Sequence, residues 1–160
     1  MTTTEDLRAT APVLTEEFVL RIEVQPPFDL GPGLAGHRLI AELAGGRASG
    51  ARFNADLLTG GADWILLGPD HFGRIDVRTQ LKTDDGAFVY MQYRGLIEMN
   101  EAVHAALTSG RECAFEDQYC RVVVKFETGD ERYRWMQERI FLAQGRPVPG
   151  GIEYRVFRVD

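Results

Sequence analysis

Hydrophobic and polar residues alternate along most of this chain, and the pattern predicts short β-strands separated by turns. Residues 18–24 show the alternation most clearly, because Phe18, Leu20 and Ile22 fall on one face of an extended segment. The same reasoning predicts further strands at residues 37–43, 64–67, 74–82, 87–98, 121–127, 133–143 and 152–159. For residues 133–143 a helix is the competing interpretation.

Turn-forming residues separate these strands. Residues 83–86 (TDDG) contain an Asp-Gly step between two strand-like runs, which is a strong signal for a β-hairpin. Gly45 and Gly46 predict a turn, and residues 147–151 predict another before the last strand. One helix of about ten residues is predicted, with Asn100 as its N-cap and Gly110 at its end.

We expect an all-β, mainly antiparallel fold. Strands alternate with turns and no βαβ rhythm is present, which favours a closed or nearly closed β-barrel of about eight to nine strands with one short helix. The predicted boundaries are a disordered or extended N-terminal tail at residues 1–14 and a single barrel domain at residues 15–160. The interior of such a barrel holds either packed side chains or one small ligand.

Composition narrows the classes of partner. The net charge of −6 argues against a nucleic-acid partner, because phosphate binding requires a surplus of Lys and Arg. No apolar run reaches the roughly 18–20 residues of a membrane span, and the first ten residues do not resemble a signal peptide. We therefore expect a cytoplasmic protein without a membrane partner. The seven-residue separation of Cys113 and Cys120 fits neither a redox pair nor a zinc site, which predicts two reduced thiols.

Asp63, beside Trp64, is the first candidate for chemistry. A carboxylate held against an indole in a pocket can have its pKa raised into the range of a general acid or base. The structural alternative is that Asp63 accepts backbone hydrogen bonds and fixes the turn that contains Gly60 and Gly61. Both interpretations stay open at the level of sequence.

Asp76 and Arg78 share one face of a predicted strand, since they are two residues apart. If the alternate residues face the core, the two charged groups form a solvated pair of little consequence. If the barrel holds a ligand, the same two residues could line its cavity. Arg78 would then orient a carboxylate or enolate, and Asp76 would act as a base.

Aromatic residues supply the remaining candidates. Tyr90 and Tyr93 have opposite parity, so only one of them points inward on a regular strand, and Tyr93 shares its face with the apolar residues. Tyr133 and Trp135 would share a face of a strand, where such aromatic residues are more often part of the core, but at the mouth of the barrel they could bind a flat ligand. We therefore predict Asp63, Asp76, Arg78 and Tyr93 as catalytic residues, and Trp64, Tyr90, Tyr133 and Trp135 as substrate-binding residues.

The sequence offers no signal for a metal or a cofactor. His37, His71 and His104 are scattered without the spacing of a metal site. Serine-nucleophile and phosphate-loop motifs are not found in the sequence, and residues 31–36 resemble a dinucleotide motif only superficially. We expect neither a metal ion nor a cofactor.

Several blocks together resemble the DUF3237 family, also called UPF0311. The blocks follow one another in the order and spacing of that family, from about Phe18 to the C-terminus. They are residues 59–64 (TGGADW), 75–78 (IDVR), 84–87 (DDGA), 89–90, 93–95 (YRG), 126–128 (FET), 133–135 (YRW) and 154–157 (YRVF). The resemblance implies a β-barrel of lipocalin-like or calycin-like appearance, and it includes both Asp76 and Arg78. It implies little chemistry, because the family is named for its lack of an assigned function.

Two hypotheses for function follow. In the first, the protein is a small, cofactor-independent lyase or isomerase that binds a hydrophobic or aromatic metabolite and catalyses proton transfer, such as isomerisation, dehydration or cyclisation. In the second, the barrel is a carrier or sensor of a small molecule, or a structural homodimer. A homodimer is expected in either case, from the general tendency of small proteins to form symmetric pairs.

Overall fold

The computed structural model describes residues 11–160 and shows a β-barrel with one α-helix in that range. Its strands are Leu14–Val24 (β1), Phe28–Gly33 (β2), Gly36–Gly50 (β3), Ala55–Leu57 (β4), Ala62–Asp63 (β5), Leu66–Leu67 (β6), Phe72–Thr83 (β7), Phe88–Glu98 (β8), Cys120–Glu127 (β9), Phe141–Val148 (β10) and Gly151–Val159 (β11). The helix is Glu101–Ser109 (α1), and Glu131–Met136 form a 3₁₀ helix. Residues 1–10 of the predicted tail lie outside the described range, and Leu14 already belongs to β1.

The barrel is closed by antiparallel pairing throughout. The strand order is β1-β11-β10-β9-β8-β7-β4-β3, and β3 pairs with β1 to close the ring, so eight strands form the barrel. Closure leaves these strands without an unpaired edge. The three additional strands are β2, which extends β3 as a hairpin, and β5 and β6, which bridge β3 and β7 beyond the end of β4. The predicted fold class is confirmed.

Local signals located the hairpin and the helix correctly. Strands β7 and β8 form eleven residue pairs, from Phe72 with Glu98 to Lys82 with Phe88. The Asn100 side chain accepts a hydrogen bond from the backbone N–H of Val103, as expected of an N-cap. Gly110 ends the helix in the left-handed conformation.

Two predictions about local structure are wrong. The chain does not turn at Gly45 and Gly46, because β3 continues to Gly50; its pairing with β1 shifts between Glu23 and Val24, so a bulge takes the place of the turn. Residues 133–143 do not form one strand. The 3₁₀ helix occupies the first part, with the Asp130 side chain accepting from the backbone N–H of Arg132 as its N-cap, and β10 begins only at Phe141.

An aromatic cluster fills one end of the barrel. Phe18, Phe53 and Phe126 pack with ring centroids 5.0–6.4 Å apart, and Phe141 lies 5.2 Å from Phe126. The 3₁₀ helix covers these rings with the buried side chains of its residues Tyr133 and Met136. This end of the barrel is therefore a packed core, and any space for a ligand lies toward the opposite end.

The helix α1 lies beside β10 and turns two residues, Val103 and Ala106, into the core. It is nine residues long.

Within residues 11–160, no helix has the length and the apolar character needed to cross a membrane.

Candidate functional site

A cavity of about 170 Å³ opens at the end of the barrel opposite the aromatic cluster. Its walls come from β1, β3, β5, β6, β7, β8, β11, α1 and the segment after β1. The lining residues are Val24, Gln25, Pro27, Leu39, Ala41, Asp63, Ile65, Leu67, Ile75, Ile97, Met99, Leu107, Ile152 and Tyr154. Ile75, Ile97 and Tyr154 are buried, whereas Gln25, Pro27 and Leu107 are exposed, so the first group forms the floor and the second the mouth.

The short strand β5 places Asp63 in this wall. Asp63 pairs with Ala41 of β3 on one side and with Val77 of β7 on the other, and the side chains of this row face the barrel interior. Gly61 allows the segment to approach β7 closely, because a Cβ atom at this position would lie 2.5 Å from the carbonyl oxygen of Arg78. The glycine pair thus brings a carboxylate into a wall that is mainly apolar.

The environment of Asp63 favours the protonated carboxyl group. Burial raises the pKa of Asp63 to about 6, although a hydrogen bond from the backbone N–H of Asp76 to Oδ1, at 3.2 Å, acts in the opposite direction. The charge of Asp76 raises this pKa further, and Arg38 lowers it. Within residues 11–160, Oδ2 has no hydrogen-bond partner. Asp63 therefore fixes the β5–β7 contact through one oxygen and has a second oxygen available for chemistry near neutral pH.

Tyr93 and Tyr154 form a buried pair next to Asp63. Tyr93 points inward, as its parity predicted, and only 4% of its surface is exposed. Its ring meets the ring of Tyr154 edge to face, with centroids 5.2 Å apart. Burial, and then the charge of Asp63, raise the pKa of Tyr93 well above its ordinary value, and burial does the same for Tyr154. Both hydroxyl groups therefore remain protonated at neutral pH.

Gly145 creates the space in which Tyr154 lies. It pairs with Tyr154 across β10 and β11, and a Cβ atom on Gly145 would lie 2.6 Å from Cε1 of Tyr154 and 2.8 Å from Sγ of Cys120. Burial raises the pKa of the Cys120 thiol to about 12, so the sulfur behaves as a small apolar group. Cys113 and Cys120 are both free thiols, as predicted.

The structure does not bring Asp76 and Arg78 into the cavity. The inward residues of β7 in this region are Ile75, Val77 and Thr79, so Asp76 and Arg78 lie on the outer face. Asp76 pairs with Arg94 at 3.1 Å rather than with Arg78. The structure therefore shows Asp76 and Arg78 on the outer face of the barrel. The alternative, in which both residues line the cavity, is wrong.

Trp64 and Tyr90 also lie on the outside of the barrel. Trp64 borders an outer groove with Gln25 and Thr59, and the guanidinium of Arg78 lies 5.7 Å from the centroid of its indole. Tyr90 points away from the interior because its parity is opposite to that of Tyr93. Neither aromatic side chain lines the cavity.

Tyr133 and Trp135 lie at the closed end. The Tyr133 hydroxyl donates to Oδ1 of Asp85 at 2.8 Å, and its ring packs against Phe53 with centroids 5.7 Å apart. Trp135 lies beneath the guanidinium of Arg52, whose Cζ is 3.7 Å from the ring centroid. These two residues cap the aromatic cluster, and the structure does not bring them to the cavity.

Tyr154 is the functional candidate that sequence reasoning missed. It belongs to the last predicted strand, where alternation with Ile152 and Val156 would have predicted an inward position. The apolar lining was only partly foreseeable, because Leu107 and Pro27 come from a helix and a connecting segment. Within residues 11–160, no group of three or more His, Cys, Asp or Glu side chains is arranged to hold a metal ion.

Comparison with known proteins identifies the family. The family model described as "Protein of unknown function (DUF3237)" matches residues 12–159. The chain belongs to the DUF3237 family. A UPF0311 protein of Clostridium acetobutylicum is 28% identical over 146 residues, which cover 91% of this chain and 92% of the relative.

Solved structures share the DUF3237 barrel. A conserved protein of unknown function from Rhodopseudomonas palustris superposes with a TM-score of 0.85 at 23% identity, covering 94% of this chain and 98% of that one. A protein described as an enzyme from Penicillium herquei has a TM-score of 0.71 at 20% identity, covering 94% of this chain and 96% of that one. At these identities the likeness shows the fold alone.

Proposed function

We propose that this barrel is a small, cofactor-independent enzyme that binds a hydrophobic or aromatic small molecule and catalyses proton transfer with Asp63 as the general acid or base. The observation that carries the proposal is the position of Asp63 in a mainly apolar cavity wall, where its Oδ2 has no hydrogen-bond partner among residues 11–160 and its pKa is raised to about 6. A carboxyl group with such a pKa is present in both protonation states near neutral pH, which is the condition for general acid–base catalysis.

In the proposed reaction, the Asp63 carboxylate removes a proton from a carbon next to a carbonyl group of the bound molecule. The electrons of the broken C–H bond move to the carbonyl oxygen, and the neutral Tyr154 hydroxyl donates a hydrogen bond to the resulting enolate. In a substrate whose enolate is conjugated with a C=C bond, Asp63 then returns the proton to the far carbon of that bond, which gives an isomerase. Alternatively, the C=O bond re-forms, a C=C bond forms between the α- and β-carbons, and the group on the β-carbon leaves with its bonding electrons and takes the proton from Asp63, which gives a lyase or dehydratase.

Tyr93 is a positioning residue in this scheme. It does not line the cavity, but its ring contacts that of Tyr154. Asp76, Arg78, Trp64, Tyr90, Tyr133 and Trp135 have no part in it, because they lie on the outer face or at the closed end. The protein from Penicillium herquei, which shares this fold, is described as an enzyme, so a barrel of this kind can support catalysis.

A non-catalytic carrier or sensor is the second candidate. The observation that favours it is the lining, in which eleven of fourteen side chains are apolar and Gln25, Asp63 and Tyr154 are the others. A carrier needs only the apolar surface and one polar anchor, whereas an enzyme needs Asp63 to titrate and exchange protons.

Proton exchange separates the two candidates. The protein is incubated with a panel of small cyclic ketones in D₂O, and deuterium incorporation next to the carbonyl is followed by NMR. We expect catalysed exchange in the wild type, its loss in Asp63→Asn, and no change in Asp56→Asn, whose exposed carboxylate on β4 pairs with Arg47. Binding of a ketone without exchange would favour the carrier, and equal exchange by wild type and Asp63→Asn would refute the catalytic assignment. The predicted homodimer is tested separately by analytical ultracentrifugation.

A further inference from the structure

The cavity is small enough to limit what can enter it. Its volume of about 170 Å³ is close to the roughly 150 Å³ that accommodates benzene in an engineered protein cavity, and below the several hundred cubic ångströms that a drug-sized molecule needs. One six-membered ring, or an apolar chain of similar volume, therefore fits inside. Any larger part of a ligand must project through the mouth, between Pro27 and Leu107.

The charge of the lining limits the ligand further. Among the lining residues that the structure describes, none is basic, and Asp63 is the one acidic side chain. An anionic group on the ligand would lose its hydration without gaining a cationic partner, and it would face a second negative charge. Arg38, the basic residue whose charge acts on Asp63, donates to the backbone carbonyl of Trp64 instead.

Two of the three polar side chains in the wall, Asp63 and Tyr154, are concentrated at one place, and the third, Gln25, lies at the exposed mouth. Tyr154 lies on the buried floor, and the Asp63 row adjoins it through Val77 and Tyr93, whereas the rest of the wall consists mainly of Leu, Ile, Val and Met side chains. A ligand can therefore satisfy one polar group at this position and must be apolar elsewhere, since an unpaired polar group in an apolar site is costly.

From these three features we propose that the substrate enters as a single-ring moiety without an anionic group, which carries one carbonyl or hydroxyl group and directs that group inward to Asp63 and Tyr154. This inference rests on the proposed function for the use of the site, and adds to it the size, charge and orientation of the substrate. Carboxylate-bearing rings are excluded, and substituents on the far side of the ring extend toward Leu107.

Matched ring probes test this substrate class. Binding of phenol, cyclohexanone and benzoate to the full chain is measured by isothermal titration calorimetry at about pH 8, where benzoate and the Asp63 carboxyl group are both negatively charged. We expect phenol and cyclohexanone to bind, and benzoate to bind about tenfold or more weakly because its charge loses hydration and faces that of Asp63. Equal or tighter binding of benzoate, or no binding of the neutral probes, would overturn the proposal.

A filled-cavity variant shows that the probes bind at this site. Ala41→Leu adds three carbon atoms to the cavity wall and should abolish phenol binding. Ala44→Leu is the matched control, because Ala44 borders the outer groove and should leave phenol binding unchanged. Phenol binding that survives Ala41→Leu in a folded protein would place the ligand elsewhere and refute the proposal.

The two proposals fail in distinguishable ways. If neutral rings bind in the cavity but no ketone exchanges protons, the substrate class stands and the catalytic function does not. If ketones exchange protons through Asp63 but benzoate binds as well as phenol, the catalytic function stands and the inference about charge does not.

Discussion

Asp63 and Tyr93 lie on either side of Val77 in one inward-facing row of the barrel. Asp63 pairs with Val77 across β5 and β7, and Val77 pairs with Tyr93 across β7 and β8. This spacing explains why a charge on Asp63 raises the pKa of Tyr93 and why both groups adjoin Tyr154. A titrating carboxyl group and a tyrosine pair that stays neutral thus share one layer of the barrel.

The pH dependence of stability should reveal the burial of Asp63. Its pKa is raised from 3.8 to about 6 in the folded state, so the folded protein binds this proton more tightly than the unfolded chain. Protonation of Asp63 therefore makes its full contribution to the free energy of unfolding below about pH 4. This contribution decreases as the pH rises through about 6, and it is absent at higher pH. A shift of this size corresponds to roughly 3 kcal/mol. We expect Asp63→Asn to be more stable than wild type by up to that amount at about pH 8, and equal at about pH 4, in urea unfolding.

Asp56→Asn provides the control for this prediction. The Asp56 side chain is exposed on β4 in an ion pair with Arg47, and exposed pairs contribute about 1 kcal/mol or less. The unfolding free energy of Asp56→Asn should follow that of wild type across the pH range. If Asp63→Asn also gives a curve parallel to wild type, the Asp63 carboxyl group is not buried as described.

Tyr154→Phe should slow proton transfer without unfolding the protein. The substitution removes the hydroxyl group and keeps the ring that packs on Tyr93. Loss of one hydrogen-bond donor to a developing oxyanion typically costs a factor of about 10²–10³ in rate. We expect ketone exchange to fall by this factor and the unfolding free energy to change by about 1 kcal/mol or less. Tyr93→Phe should reduce exchange less, and an unchanged rate in Tyr154→Phe would remove this residue from the proposed mechanism.

Gly145→Ala should disturb the same site through packing. The added methyl group would lie 2.6 Å from Cε1 of Tyr154 and 2.8 Å from Sγ of Cys120, so the ring has to move. Overpacking of this kind costs about 1–3 kcal/mol, measured by urea unfolding, and we expect ketone exchange to decrease with it. Gly129→Ala is the matched control, since a Cβ atom there would meet no atom within 4 Å. Wild-type stability and exchange in Gly145→Ala would contradict the described packing.

Changes at the closed end should affect stability without affecting the cavity. Tyr133→Phe loses the hydrogen bond to Asp85, which is worth about 1 kcal/mol, while the ring remains packed against Phe53. We expect this variant to unfold at a lower temperature than wild type and to bind phenol with the wild-type affinity. A clear loss of phenol affinity in Tyr133→Phe or Trp135→Phe would show that this end takes part in ligand binding.

Sequence patterns predicted the parts of the fold that local chemistry determines. The Asp-Gly turn, the Asn100 cap and the alternation around Tyr93 each depend on nearby residues, and the structure agrees with all three. Residues 133–143 do not form the predicted strand, because the Asp130 cap starts a 3₁₀ helix at Glu131. The competing helical interpretation therefore agrees with the structure for residues 133–136.

The candidate site was only partly predictable, because part of it depends on contacts between residues that are distant in sequence. Asp63 was identified from the residues beside it, but whether Asp76 faced the cavity or solvent depended on the barrel as a whole. The inward position of Tyr154 follows from the alternation in its strand, but its proximity to Asp63 does not, because the two residues are far apart in sequence and only closure of the barrel through β1 and β11 brings them together.

The most direct test of this account is the pKa of the Asp63 carboxyl group in the folded protein, measured by ¹³C NMR titration and assigned by comparison with Asp63→Asn. We predict a value of about 6, because the carboxyl group lies in an apolar cavity wall. A value at or below the ordinary one of about 4 would show a well-solvated or paired carboxylate, and would contradict the assignment of Asp63 as the general acid or base.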